Sequence, residues 1–189
     1  MKKVQVGDYG FLKRQKMFYI LKVVGCIAAG ILMYGVGYYV NKGNPKNICS
    51  VLALLMSLPM AKAMTEFIVV FPFQEVTKER YEKVRSICPQ DGKLMTGMVI
   101  TSEKRVMNLD LLLEYQGNVI ALAGNKETDI TYVRDYLVKG VRNWGFDYQV
   151  KVIKEEKAFL SAIQSCNPVK VSEQEQKDVV SYLQSLIVK

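Results

Sequence analysis

The feature that most constrains this chain is a run of almost continuous apolar residues over positions 17–73. Its first part, Met17–Val40, contains a single charge, Lys22. At a rise of about 1.5 Å per residue, a helix of this length spans a hydrocarbon core about 30 Å thick. Aromatic side chains lie near both ends, as in an interfacial belt. The pattern predicts a first transmembrane helix over residues 17–40.

A polar link over residues 41–47 contains Gly43 and Pro45 and predicts a turn. A second apolar segment follows over residues 48–73. If it ended at Pro59, about a dozen residues would remain, which is too few to cross a bilayer. We therefore expect one helix, kinked at Pro59, because neighbouring groups inside a membrane protein can satisfy the carbonyl that a proline leaves free. The prediction is a two-helix transmembrane hairpin in the lipid bilayer.

The distribution of lysine and arginine predicts the orientation of this hairpin. Five of these residues lie in the basic segment 1–16, and four follow closely after the second span. The link between the spans has only two. By the positive-inside rule, both termini and the domain formed by residues 74–189 face the cytoplasm.

The net charge of +8 is not spread over the predicted domain. Residues 74–189 carry 17 Lys and Arg against 16 Asp and Glu, so the basic excess lies beside the apolar run. There it favours attraction to anionic lipid headgroups. A groove for nucleic acid needs its charge on the folded domain, and the sequence therefore argues against a nucleic-acid partner.

The chain contains no histidine, and this excludes several kinds of catalytic and metal site. Ser-His-Asp and Cys-His nucleophiles, histidine-ligated metals and histidine pH switches all need an imidazole. The four cysteines are widely spaced without a C-x-x-C pair, so we expect reduced, mostly buried thiols. No motif indicates a cofactor, and the balance favours a protein that is not an enzyme.

Three charges interrupt the apolar run, namely Lys22, Lys62 and Glu66. A charge near the bilayer centre costs about 2.5–3.5 kcal/mol on insertion scales, so we expect these to pair. Lys62 and Glu66 are four residues apart on one helix face, and a hairpin turning at residues 41–47 brings Glu66 level with Lys22. Gly25 and Ala29 form a small-xxx-small pair that permits close helix packing.

Two interpretations of this charge cluster remain open. Intramembrane charges are candidates for an ion or proton path. Alternatively, the cluster is a clamp that sets the register of the hairpin. Two helices alone do not enclose a path, so the clamp is favoured for a monomer, and an oligomer would weaken that preference.

Residues 74–189 predict a small α+β domain with the element order α-β-β-β-α-β-α-α. Helix 129–144 is the clearest element, because an apolar stripe recurs at helical spacing and ends at Trp144, which we expect in the core. Thr128 is its predicted N-cap. The predicted helices are 75–88, 129–144, 155–166 and 173–188, and the predicted strands are 93–101, 106–115, 118–123 and 147–154.

The order α-β-β-β-α-β, with the acid of NLDLLLEYQGNVIALAGNK on its second strand, resembles the core of the PD-(D/E)xK nuclease-like fold. In that family, an acid on the second strand and an acid-x-Lys on the third bind a divalent metal. Asp110 matches the first acid, Glu114 is expected on the same strand face, and Lys126 matches the lysine. Gly124 stands where the family has a carboxylate, so the resemblance implies an incomplete hydrolytic site.

Three functions follow from these expectations. The first is a membrane-anchored, non-enzymatic module whose α+β domain binds a protein partner or self-associates. The second is a membrane-tethered, degenerate relative of the nuclease-like fold. The third is a small channel or transporter subunit that uses Lys22, Lys62 and Glu66 in a homo-oligomer.

Overall fold

A computed structural model describes residues 5–188, which contain seven helices and four strands. The helices are α1 (Phe11–Val40), α2 (Ile48–Leu55), α3 (Ser57–Val70), α4 (Lys78–Ile87), α5 (Ile130–Asn143), α6 (Glu156–Gln164) and α7 (Glu173–Ser185). The strands are β1 (Lys93–Thr101), β2 (Val106–Tyr115), β3 (Asn118–Ala123) and β4 (Gln149–Ile153).

The described residues form two compact units. Residues 13–72 form a helical hairpin, and residues 5–12 together with 73–188 form an α+β domain. The predicted long apolar helix, second apolar helix and α+β domain are therefore present. The prediction treated residues 1–16 as a separate segment. The structure differs, because residues 5–12 are part of the domain and α1 begins at Phe11.

The second arm of the hairpin is interrupted once. Helix α2 ends at Leu55, and α3 begins at Ser57 after a single turn residue, Met56. The cause is Pro59, which has no N–H for the Leu55 carbonyl and whose ring crowds that carbonyl. The interruption lies near the predicted kink, and α3 ends at Val70 rather than at residue 73.

The two arms approach most closely near the turn. A Cβ atom built on Gly37 would lie 2.4 Å from the Cys49 Cβ, and one on Gly30 would lie 3.6 Å from the Ala53 carbonyl oxygen. Asn47 Nδ2 donates to the Gly37 carbonyl at 3.1 Å. The prediction that Gly25 provides the close approach is wrong, because a Cβ there would meet nothing within 4 Å.

The outer surface of the hairpin is apolar. Within residues 5–188, the exposed large hydrophobic side chains all lie between Met17 and Phe71 apart from two, Trp144 and Val169. Helix α1 and the arm Ile48–Val70 are each long and apolar enough to cross a membrane, by length and composition.

The domain is built on a four-stranded mixed sheet in the order β1-β2-β3-β4. The first three strands form an antiparallel meander, and β4 is parallel to β3 after the crossover through α5. Gln116 and Gly117 connect β2 and β3 with φ angles of 36° and 79°. Two consecutive positive φ angles are the geometry of a tight β-hairpin turn, which confirms the hairpin predicted at these residues.

Helices cover both faces of this sheet. Helices α5 and α7 bury one face, where Met98, Leu112, Leu137 and Leu183 share a core cluster. Helices α4 and α6 bury the other face. There, the second core cluster includes Val84, Leu94, Leu113, Ile120 and Phe159. Because both faces are covered, β2 and β3 are buried along nearly their whole length.

A β-bulge at Asp110 changes the alternation of side chains along β2. The pairing with β3 shifts register between Leu109 and Leu111. Leu109 therefore belongs to the α5/α7 core and Leu111 to the α4/α6 core, although in a regular strand residues two positions apart lie on the same face. A bulge inserts one extra residue, and a slip of one residue exchanges the faces of all the side chains beyond it. Asp110 and Glu114 consequently point to opposite faces.

Residues 5–12 pack along the edge strand β1. The Thr96 amide donates to the Gly7 carbonyl at 2.8 Å, and Lys93 forms an ion pair with Asp8 at 3.0 Å. Pairing of this kind satisfies backbone groups that an edge strand otherwise leaves open. Both ends of the hairpin therefore connect to the same folded domain.

Helix α5 departs from its predicted ends. The N-cap is Asp129 rather than Thr128, since the Asp129 carboxylate accepts the Tyr132 amide at 2.9 Å. Trp144 is 63% exposed, so its predicted place in the core is wrong. Trp144 is the C-cap of α5, and the next residue, Gly145, has a φ angle of 83°. The helix therefore ends before Trp144 can continue the apolar stripe that faces the sheet.

Packing at Gly37 predicts that alanine substitutions at two nearby glycines of α1 change the free energy of unfolding by different amounts. Gly37→Ala places a methyl group against the Cys49 Cβ and the Asn47 side-chain amide and should lower the free energy of unfolding by about 1–3 kcal/mol. Gly35→Ala is the matched control, because a Cβ at Gly35 meets nothing within 4 Å. Thermal unfolding of the full chain in detergent micelles, followed by circular dichroism, measures both. Equal stability of the two variants would contradict this packing.

Candidate functional site

Asp110 belongs to a partly buried ion-pair network that is centred on Arg80, on the α4/α6 face of the sheet. Arg80 of α4 donates through Nη1 to Asp110 Oδ2 at 3.1 Å and through Nε to Glu156 Oε2 at 2.6 Å. Burial raises the pKa of the Asp110 carboxyl, and the neighbouring Arg80 guanidinium offsets part of that rise. The carboxylate that matches the nuclease-like first acid is thus neutralised by an arginine of the same chain.

The position of the second nuclease-like acid is closed. A Cβ built on Gly124 would lie 1.8 Å from Asn108 Nδ2 and 3.0 Å from Asp110 Oδ1. Asn108 also donates to Asp110 at 3.4 Å. The Asn108 amide therefore occupies the space that any side chain at position 124 would need.

Two other predicted residues lie away from this network. Lys126 is exposed on the turn that joins β3 to α5. Glu114 lies on the opposite face of the sheet, so its predicted place beside Asp110 is wrong, for the reason given by the bulge. Among residues 5–188, no group of three or more aspartate, glutamate or cysteine side chains is arranged to hold a metal ion.

Glu114 is fully buried on the α5/α7 face, at 0% exposure. Gln176 Nε2 of α7 donates to its Oε2 at 3.0 Å, and the Tyr148 hydroxyl lies 3.4 Å from its Oε1. Both of these donors are neutral. Burial raises the pKa of the Glu114 carboxyl from 4.5 to about 7, against the lowering effect of the two hydrogen bonds.

A cleft of about 590 Å³ opens beside Glu114. Charged side chains of both signs line it, from the segment before β1, from β1 itself and from α7. They are Asp91, Lys93, Glu173 and Lys177. Gln176 spans this cleft, because its Nε2 also donates to the Asp91 carbonyl at 3.2 Å. A buried carboxylate beside an open cleft is the main candidate site in the domain.

The three charges of the hairpin line one cleft of about 540 Å³, together with Gly25 and Pro59. Their predicted juxtaposition is therefore observed, but the predicted ion pair is not. No Lys–Glu ion pair within 4 Å joins Lys22, Lys62 and Glu66 in the described part of the chain. The Lys22 ammonium instead lies over the Phe18 ring, 4.6 Å from its centroid.

An aromatic patch formed by Trp144, Tyr182 and Tyr136 lies on the surface of α5 and α7. The rings of Trp144 and Tyr182 have centroids 5.8 Å apart. Tyr182 lies across α5 at Gly140, where a Cβ would meet its hydroxyl at 1.8 Å. A cleft of about 610 Å³ adjoins the patch and is lined by Tyr132, Tyr136 and Lys139, among others.

The sequence interpretation missed the partners of both buried acids. Arg80 and Gln176 are 30 and 62 residues away from the carboxylates that they contact. Both belong to polar helix faces that look solvated in the sequence. Only the three-dimensional packing of α4 and α7 on the sheet identifies them, and no local motif carries that information.

Comparison of the chain with protein-family models, with curated proteins and with solved structures gives no significant match.

The environment of Glu114 predicts a specific pH dependence of stability. The folded protein keeps a proton on Glu114 up to about pH 7, whereas the unfolded chain releases it near 4.5. Stability therefore falls as the pH rises through this window, by about 3 kcal/mol in total. Glu114→Gln removes that dependence, and Glu173→Gln, an exposed acid on the same cleft, should not. Denaturation curves between pH 5 and pH 8 test this, and parallel curves for wild type and Glu114→Gln would refute it.

Proposed function

We propose that this protein is a membrane-anchored, non-catalytic module whose α+β domain binds a protein partner or a second copy of the chain. The anchor is the hairpin. Its two arms have the length and apolarity needed to cross the bilayer, and nearly all the exposed large hydrophobic side chains in residues 5–188 lie on it. In water such a surface would associate, whereas in lipid it is solvated.

The fold supports a cytoplasmic location for the domain. Residues 5–12 and 73–188 form one unit, which supports an arrangement in which both ends of the hairpin leave the same side of the bilayer. Lysine and arginine are dense at those two ends and sparse in the link between the spans. The positive-inside rule then assigns the domain side to the cytoplasm.

The network around Asp110 supports a role other than hydrolysis. Arg80 already neutralises the Asp110 carboxylate, and the space for a second carboxylate at Gly124 is filled by Asn108. A metal-activated hydrolase needs carboxylate ligands that are free to take the ion. In this chain Asp110 of β2 pairs instead with Arg80 of α4, which also pairs with Glu156 of α6. These ion pairs join the two helices to the sheet.

The observation that carries the binding proposal is the exposed Trp144. Outside the hairpin, Trp144 and Val169 are the two exposed large hydrophobic side chains of the described residues. An indole that the fold leaves 63% exposed, flanked by Tyr182 and a cleft, has the composition of an interface hot spot. Tryptophan, tyrosine and arginine are enriched at such positions. The two aromatic side chains bury large areas with few rotatable bonds.

Photocrosslinking tests the proposal. A photoreactive benzoylphenylalanine at position 144, in the full chain expressed in intact cells, should give a discrete adduct on irradiation. An adduct at twice the 21.5 kDa mass indicates a second copy, and any other discrete mass indicates a partner protein. The same group at Lys157, an exposed residue of α6 on the other side of the sheet, is the control. Adducts that are absent at 144, or identical at both positions, would refute the proposal.

The second candidate is a degenerate relative of the nuclease-like fold. The observation that favours it is the element order from α4 to β4, which follows the expected α-β-β-β-α-β, with Asp110 on the second strand. This interpretation is compatible with a binding module, because a core of this kind can be retained after its hydrolytic site is lost.

A further inference from the structure

Glu114 is a buried carboxylate that has no cation of its own. No lysine or arginine nitrogen lies within 4 Å of it in residues 5–188, although every other buried acid in that range has such a partner. Asp110 is paired with Arg80, and Glu127 is paired with Arg105. Buried acids are normally paired because an isolated charge is costly in a medium of low dielectric constant.

The lysine best placed to pair with Glu114 is held elsewhere. Lys93 is directly opposite Glu114 in the register between β1 and β2. Its ammonium instead lies 3.0 Å from Asp8 of the N-terminal segment. The fold therefore leaves the carboxylate unpaired while a lysine stands on the neighbouring strand, and it places an open cleft of about 590 Å³ beside that carboxylate.

We propose that the cleft beside Glu114 is a binding site for an alkylammonium group, which enters in place of the Gln176 side chain and forms an ion pair with the Glu114 carboxylate. The inference rests on the proposed function only for the source of that group, which is a lysine side chain of the partner protein. A free aliphatic amine carries the same chemistry and is distinguished from it by experiment.

The geometry favours an ammonium over a guanidinium. Tyr148 and Gln176 already contact one oxygen each of the carboxylate. A guanidinium binds best through two parallel hydrogen bonds and would need both oxygens at once. An ammonium is a compact charge on a slender alkyl chain, and it can replace the Gln176 donor at Oε2 while Tyr148 stays in place.

Gln176 is the movable part of the site. Its amide is hydrogen-bonded to Glu114 and to the Asp91 carbonyl, and its side chain is only partly buried. Displacing it breaks one hydrogen bond to the ionised carboxylate and one to the Asp91 carbonyl, and it forms one charge-assisted bond from the ammonium to the carboxylate. A hydrogen bond to a charged group is roughly twice as strong as one between neutral groups. One bond to the carboxylate therefore replaces another, and the Coulombic attraction of the ammonium offsets the lost bond to Asp91.

The surrounding charges do not oppose a cation. Lys93 and Lys177 line the cleft on β1 and α7, and Asp91 and Glu173 line it with the opposite sign. Tyr148 also faces Glu114, and its own pKa is raised by burial, by the Glu114 charge and by the charge of Glu175 on α7. The rim is thus electrically balanced, and Glu114 supplies the net negative charge at the base of the cleft.

The test titrates the full chain, in nanodiscs of zwitterionic lipid, with two probes. The first is a tripeptide with blocked termini and a central lysine, and the second is cadaverine. Nuclear magnetic resonance of protein labelled with ¹³C at the glutamate carboxyl carbons reports on Glu114 directly, and Glu114→Gln assigns its signal. We expect the Glu114 signal to shift on saturation, with an affinity that rises about tenfold per pH unit below pH 7, because the ionised carboxylate is the binding form.

Four variants separate this site from general attraction to acids. Glu114→Gln should weaken binding at least about tenfold, since a charge pair in a buried site contributes 1.4 kcal/mol or more. Gln176→Ala should strengthen it several-fold by opening the cleft. Asp8→Asn should weaken it, because Lys93 is then released to pair with Glu114. Glu173→Gln, at the rim, is the matched control and should change the affinity by less than about twofold.

The outcomes answer two separate questions. One is whether the site exists, and the other is whether its ligand is a lysine side chain of a partner or a free amine. Tighter binding of the lysine tripeptide than of cadaverine supports a partner side chain, and the reverse order supports a free amine. Either order upholds the site, even if crosslinking at position 144 fails. The proposal is overturned if neither probe moves the Glu114 signal, or if Gln176→Ala binds both probes no more tightly than the Glu173→Gln control does.

Discussion

The pairing of residues 5–12 with the edge of β1 is the interaction on which the rest of the structure depends. Hydrogen bonding of the Thr96 amide to Gly7 and the ion pair between Lys93 and Asp8 join residues 5–12 to the part of the domain that begins about sixty residues later. The hairpin is thereby an insertion in the domain. The same ion pair holds Lys93 away from Glu114, so the contact that links the N-terminal segment to the domain also leaves the candidate site without a cation.

Much of this fold can be predicted from the sequence because it depends on short local patterns of residues. The apolar run over residues 17–73, the capping box at Ser172 and Glu175, and the turn at Gln116–Gly117 each depend on a few neighbouring residues. The bulge at Asp110 is different. It depends on how β2 pairs with β3, and one inserted residue was enough to separate Asp110 from Glu114, which a regular strand would keep on one face.

Only part of the candidate site could be predicted from the sequence, for a related reason. Glu114 and Asp110 were recognised as acids in an apolar strand, but their significance depends on partners from other elements. Arg80 converts Asp110 into a structural ion pair, whereas Gln176 leaves Glu114 with neutral donors alone. Two acids four residues apart thus differ in electrostatic environment, and the difference arises from which helix packs over each. Trp144 was assigned to the core because its spacing fits the stripe, although the helix ends before it.

The central claim is that the hairpin crosses the membrane and returns to one cytoplasmic domain. It is tested most directly by labelling single cysteines in intact cells with a membrane-impermeant maleimide, in a chain whose four native cysteines are replaced. A cysteine at Lys46, in the link between the arms, should be labelled from outside. One at Lys157, in the domain, should be labelled only after the cells are permeabilised. Labelling of position 157 in intact cells, or protection of position 46, would contradict the account.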